Sequence, residues 1–200
     1  MNRWLVYDTA TGDVIRSQTS PSGKQAPATR EGRGAIQVLP ELPVARYFID
    51  VDGPEPIIRI RDPRPSAEHQ WDRELREWTL NLGLRKAAQW ELVKAARGEA
   101  ERAGVEVGGV RFDTDPISQQ RITGACLLAQ VDPTASWEWT AADNSAVQLD
   151  ATQMMQLGMA VAAHVAACHA QGRALRAQID AATTAEEIDA ITFPEPAGGT

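Results

Sequence analysis

Cysteine is almost missing from this 200-residue chain: Cys126 and Cys168 are the only two. They stand far apart, each in an apolar helical context, which excludes a disulfide-stapled fold and reads as two reduced core thiols. Histidine is as scarce. His164 and His169 are five apart on a predicted helix, so they do not stack on one face as an i, i+4 pair would, and no metal site is expected. Long apolar runs are lacking too. The longest weakly polar stretch, residues 157–168, is interrupted by His164 and falls short of the ~20 residues that span a bilayer, so it reads as a buried helix segment with no membrane insertion.

Positive charge is also in short supply. Twenty Lys and Arg against 27 Asp and Glu give a net charge of −7 and a pI near 5.0. The average field therefore repels phosphate backbones and anionic lipid, and no nucleic-acid partner is expected. The start of the chain, through Trp4-Leu5-Val6-Tyr7, reads as a strand and not as a basic region followed by an apolar core. No signal peptide is expected, and the product is expected to stay where it is made.

No constellation for chemistry emerges from spacing. Gly32-x-Gly34 lacks the third glycine, the preceding strand and the following helix of a dinucleotide fingerprint, and neither a P-loop nor a nucleophile elbow occurs. Asp113-Thr114-Asp115 is acidic, but Pro116, Ile117 and Ser118 stand where a calcium loop needs further oxygen ligands and a glycine, so helix capping explains it better. No catalytic, cofactor-binding or metal residue is assigned, and the chain is not expected to be an enzyme. The six tryptophans read as core and interface residues, not base-stacking platforms.

What is present is a change of period along the chain. Residues 1–65 carry short β-type runs: Trp4-Leu5-Val6-Tyr7 and Val14-Ile15-Arg16 flanking a Gly12 turn, then Ala35-Ile36-Gln37-Val38, Tyr47-Phe48-Ile49-Asp50-Val51 and Ile57-Ile58-Arg59-Ile60. They predict a small four- or five-stranded meander, with an exposed loop at 20–34 where Pro21, Gly23, Pro27, Gly32 and Gly34 crowd together. Pro63 and Pro65 forbid helix before them, which places a boundary at 65.

From Ser66 the spacing becomes helical. Trp71, Leu75, Trp78 and Leu82 recur every four, three and four residues, predicting a helical connector over 66–104 that bends near Gly83 and ends at Gly104. Two indoles on a narrow stripe among charged residues need a cover. Either a second copy supplies it, as a coiled coil, or the β module does.

Residues 105–194 predict an α+β domain. Gly108-Gly109 suits a tight hairpin, Asp115-Pro116 caps a helix through Ile122, Ala125, Cys126 and Ala129, and Trp137-Glu138-Trp139 with Val147-Gln148-Leu149 brackets a second hairpin at Asp143-Asn144. Asp150 then caps a long helix in which Met154, Gly158, Val161, Val165, Cys168, Gly172, Leu175 and Ile179 keep a four-three spacing. It packs either on the Ile122 helix and the hairpins of its own domain or against a copy, and its two glycines admit a close neighbour. Thr184-Ala185-Glu186-Glu187 has the capping-box spacing of a short final helix, and 195–200 reads as a frayed tail.

The run Gly109-Val110-Arg111-Phe112-Asp113-Thr114-Asp115-Pro116-Ile117-Ser118-Gln119-Gln120-Arg121-Ile122, followed by Trp137-Glu138-Trp139, Asp143-Asn144, Val147-Gln148-Leu149 and the Thr184-Ala185-Glu186-Glu187-Ile188 segment, resembles a domain of unknown function common in tail and tail-fibre proteins of phages and prophages. The resemblance covers roughly residues 86 to 194. It implies a virion location in the phage tail after synthesis in the host bacterial cytoplasm, and carries no catalytic motif. The expectation is a tail-fibre or baseplate-associated adaptor that links the tail to receptor-binding fibres and serves host attachment, with a fibre-assembly chaperone as the alternative. Rotational symmetry of tails then makes a homotrimer the expected state, with Trp71, Leu75, Trp78 and Leu82 as its interface and other tail or fibre proteins as partners.

Overall fold

The structure, a computed structural model, describes residues 2–20, 26–38 and 43–194. Part of the loop expected at 20–34 and the tail expected at 195–200 lie outside the described residues. The chain divides into two compact units, residues 1–79 and 80–200. Together they make a mixed α+β protein with no closed barrel, as the change of period predicts.

In the first unit, β1 (Asn2–Asp8) pairs antiparallel with both β2 (Val14–Ser20) and β3 (Arg33–Val38). Leu5, Val6 and Tyr7 of this central strand are all buried, Leu5 and Tyr7 against Val38, Tyr47 and Ile49. The order β2-β1-β3 is not a continuous meander, because the third strand returns to the first. Asp8 ends β1 by accepting the N–H groups of Ala10 and Thr11 at 2.9 and 3.0 Å, and Gly12 turns the chain at φ +71°.

Gly12 also accepts the N–H of Ile49 at 3.0 Å, which ties the turn to β4 (Tyr47–Asp50). β4 forms its own hairpin with β5 (Ile57–Ile60). Leu5, Tyr7, Val38, Tyr47 and Ile49 close the core of this unit. Each large apolar side chain so buried contributes roughly 1.5–3 kcal/mol.

The expected helical connector is corrected here. Residues 66–80 form no helix: His69–Asp72 is strand β6 and Glu77–Leu80 is strand β7, paired as a hairpin within the first unit. Asp72 decides the turn, since its carboxylate accepts the N–H groups of Glu74 and Leu75, both at 2.9 Å, and Arg76 follows at φ +53°. An Asx turn of this kind competes with helix for the same backbone donors. The unit boundary accordingly falls after Thr79 and not near Pro65.

The second unit opens with α1 (Leu82–Arg102), capped by Asn81, whose side chain accepts the Leu84 N–H. Gly83 therefore sits in the first turn and breaks nothing. The hairpin of β8 (Val105–Val107) and β9 (Val110–Phe112) turns on Gly108 and Gly109, both at positive φ. Helix α2 (Pro116–Val131) is capped by Asp115, and β10 (Ser136–Thr140) pairs with β11 (Ala146–Asp150) around Asn144 at φ +65°. Helix α3 (Ala151–Ala181) and α4 (Ala185–Asp189) both start in capping boxes, at Asp150 and Thr184.

The long helix is an intradomain element. Phe112, Ile122, Ala125, Ala129, Leu149, Met154, Leu157 and Val161 make one core, against which Trp137 and Trp139 pack. Val93, Leu175 and Ile179 make a second between α1 and α3. A Cβ on Gly158 would fall on the Cys126 sulfur of α2, and one on Gly172 would stand 3.0 Å from Cδ of Arg97 on α1. The neighbours that the two glycines admit are thus α2 and α1 of the same chain.

Candidate functional site

The structure brings together two of the four residues expected on one seam. Trp71 and Trp78 face each other across the β6–β7 hairpin, ring centroids 5.5 Å apart and edge to face. Leu75 lies at the hairpin turn, 63 % exposed, and Leu82 begins α1 in the other unit. The indoles are covered by their own unit: Phe48 lies 5.3 Å from Trp71, and Trp78 donates its indole N–H to the Asp62 carbonyl at 2.8 Å. The four-three-four spacing was a coincidence of a hairpin whose ends both carry tryptophan.

Arginines frame this aromatic cluster. The Arg61 guanidinium stacks 4.7 Å from the Trp71 centroid and 5.8 Å from that of Phe48, and Arg64 lies 5.9 Å over Trp78. Arg76 makes a bidentate pair with Asp50 at 2.7 and 2.8 Å and also meets Asp52. Burial pushes the Asp50 carboxyl up, but the Arg76 hydrogen bonds, the Asp52 N–H and the charges of Arg76 and Arg59 outweigh it and hold the group below the usual carboxylate value. Phe48, Arg61, Trp71 and Trp78 line a cavity of about 220 Å³ with Arg59, Arg76, Asp62 and Glu77 at it. The sequence signal for it was the pair Arg59 and Arg61, two apart at the end of β5, where Arg59 pairs with Phe48.

A second feature is a groove of about 580 Å³ between α2 and α3. Ile122, Cys126, Met155, Met159, Val161 and Val165 line it together with small residues. Leu127 and Val131 stand four and eight residues beyond the groove-lining Thr123, so they prolong its edge, and Val131 is 84 % exposed. Charge is nearly absent: α2 holds Arg121 alone, and α3 holds no Asp, Glu, Lys or Arg before Arg173. The Cys126 thiol gives its hydrogen to the Met154 carbonyl at 3.3 Å, and burial raises its pKa.

Further titratable groups lie between α1 and α3. His164 Nε2 lies 2.9 Å from the Ala100 carbonyl and 3.9 Å from the Cys168 sulfur. A carbonyl only accepts, so Nε2 carries the proton and has no lone pair with which to activate the thiol. Burial, and then Glu101, raise the Cys168 pKa as well. His169 instead meets Glu101, 3.4 Å away, which also pairs with Arg97 at 3.1 Å. Among the described residues no group of three His, Cys, Asp or Glu gathers to hold a metal, and no helix is long and apolar enough to cross a membrane.

Thr114 entered the sequence reading only as part of the Asp113-Thr114-Asp115 cluster, and the structure finds it fully buried. Its hydroxyl donates to the Glu101 carbonyl at 2.6 Å and accepts the Gly104 N–H at 2.9 Å, locking the end of α1 to the start of α2. The acidic cluster around it caps: Asp115 accepts from Ile117, Ser118 and the Ser118 hydroxyl, which lowers its pKa.

The second unit is therefore an α+β domain built around a long central helix, with an apolar groove between α2 and α3. A family model, the domain of unknown function DUF4376, matches residues 84–192, and the chain belongs to that family. Comparison with curated proteins and with solved structures gives no match.

Proposed function

We propose that the protein is a structural component of a phage tail, an adaptor at the fibre or baseplate that works by binding other proteins. The observation that carries this reading is the uncharged α2–α3 face on a chain of net charge −7. Apolar side chains such as Leu127, Val131 and Met159 stand exposed along it beside an open groove, and contiguous exposed apolar surface marks a docking site. The resemblance of residues 86 to 194 to tail proteins supplies the setting.

A second copy is the occupant that charge favours. Acidic chains repel each other over most of their surface, whereas this face sets no like charges opposite one another. The edge formed by Leu127 and Val131 entering the groove of the next copy is a head-to-tail contact, which closes as a ring when the rotation permits; three copies match the expected homotrimer. Sedimentation velocity of the full chain tests it: a trimer is expected, reduced to monomer by Met159→Glu and Val131→Glu with the circular-dichroism spectrum unchanged. A wild-type monomer at tens of micromolar would remove self-association. The alternative, a fibre-assembly chaperone, uses the same face for a fibre protein and leaves before maturation.

A further inference from the structure

The cations around the aromatic cluster of the first unit are not equivalent. Arg76 is neutralised by Asp50 and Asp52, Arg73 pairs with Asp13, and Arg59 stands 3.5 Å from Asp50. Arg64 donates to the backbone carbonyls of His69 and Ala67. Arg61 differs from all of these. Among the described residues its guanidinium meets no carboxylate within ion-pair distance, and its Nε–H is buried without a hydrogen-bond partner.

A guanidinium stacked on an indole uses its face and leaves its planar N–H edge for another group. Shielding part of such a cation from water with no anion beside it is costly, and a buried unsatisfied donor adds to that cost. Burial indeed pushes the Arg61 pKa down, and the two charges that shift it, Asp13 upward and Arg73 downward, oppose each other. An incoming carboxylate would supply the missing charge, held through the terminal N–H groups of the guanidinium.

The cavity beside it fixes the shape of the rest of the ligand. Its volume of about 220 Å³ is below the ~300 Å³ at which drug-sized sites begin, so it holds about one ring. Aromatic faces from Phe48, Trp71 and Trp78 offer a flat apolar wall. Asp62 and Glu77 at the cavity bring acceptors suited to hydroxyl donors.

We infer that this cavity is a binding site for a small carboxylate carried on a six-membered ring, with Arg61 as its anion-binding group. The ring lies on the aromatic wall and the carboxylate on the guanidinium edge. An acidic sugar and an aromatic acid share this chemistry. The site is independent of the α2–α3 face and of the proposed role in a tail.

The test is a two-dimensional amide and indole NMR titration of the full chain with D-glucuronate and with benzoate, each beside its uncharged counterpart, D-glucose and benzamide. At least one acid is expected to shift the Trp71 and Trp78 indole signals and to saturate, glucuronate identifying a sugar and benzoate a planar aromatic acid. Arg61→Gln should weaken that binding at least tenfold with the remaining spectrum unmoved. Should Arg61→Gln unfold the first unit, salt replaces it: a severalfold weakening of the wild-type titration at high salt is expected, and an affinity indifferent to salt overturns the anion site. The inference also fails if neither acid saturates, if the uncharged counterparts bind as well, or if a folded Arg61→Gln binds unchanged.

Discussion

Arg76 and Asp50 meet through two parallel hydrogen bonds of 2.7 and 2.8 Å although they are 26 residues apart. Asp50 is 9 % exposed and closes β4, whereas Arg76 sits at positive φ in the last turn before β7. The pair thus fastens one hairpin to another, and removing the arginine strands a carboxylate in poor solvent. Arg76→Ala is expected to lower the thermal midpoint of the first unit by several degrees, measured by differential scanning calorimetry.

The same pair gives that unit a pH dependence of known sign. Because the folded Asp50 carboxyl titrates below the ordinary value of 3.8, the unfolded chain binds more protons as pH falls. Its stabilisation is complete above the unfolded value and is lost as pH drops through the lower folded one. Urea midpoints of the first-unit transition between pH 5 and pH 2 should therefore fall, and fall less steeply in Arg76→Ala.

The hairpin and the abandoned helical seam make opposite demands on residues 71–78. With Leu75 63 % exposed at a turn, Leu75→Ala should change stability by less than about 0.5 kcal/mol, whereas Trp71→Ala, which strips the cover from Phe48 and Trp78, should cost about 2–3 kcal/mol. Chemical denaturation followed by circular dichroism separates them. Equal losses at both positions would restore the helical reading.

Gly158 and Gly172 sit fourteen residues apart on α3, yet should respond differently to alanine. At Gly158 the new Cβ falls on the Cys126 sulfur, so Gly158→Ala should cost about 1–3 kcal/mol despite the roughly 1 kcal/mol gain in helix propensity. Cys126→Ala in the same chain should recover most of the loss, a coupling that a double-mutant cycle measures. At Gly172 the neighbour is the flexible Arg97 side chain at 3.0 Å, and Gly172→Ala should be neutral or stabilising.

Local chemistry was legible in the sequence wherever one side chain decides a backbone within a few residues. Asp115, Asp150 and Thr184 cap the helices they were expected to cap, and Gly108-Gly109 and Asp143-Asn144 turn the hairpins expected of them. The stretch from Trp71 to Trp78 was not legible, because a heptad-like spacing and a hairpin place the same residues at the same intervals. What separates the two is distant in sequence: Phe48 against Trp71, and Asp50 and Asp52 against Arg76. Asp72 was the local clue, an Asx-turn former directly after an aromatic strand residue. The groove was hidden for a similar reason, since periodicity marks the buried positions of α2 and α3 and says nothing of how far apart the helices stand.

The proposed role is tested most directly by quantitative peptide mass spectrometry of purified particles of a phage that encodes this chain, after loosely bound material has been washed away. The expected result is the chain in fixed stoichiometry to the major tail proteins, in a multiple of three. Absence from the particles, with the chain abundant in the infected-cell lysate, would contradict a place in the tail and favour the chaperone.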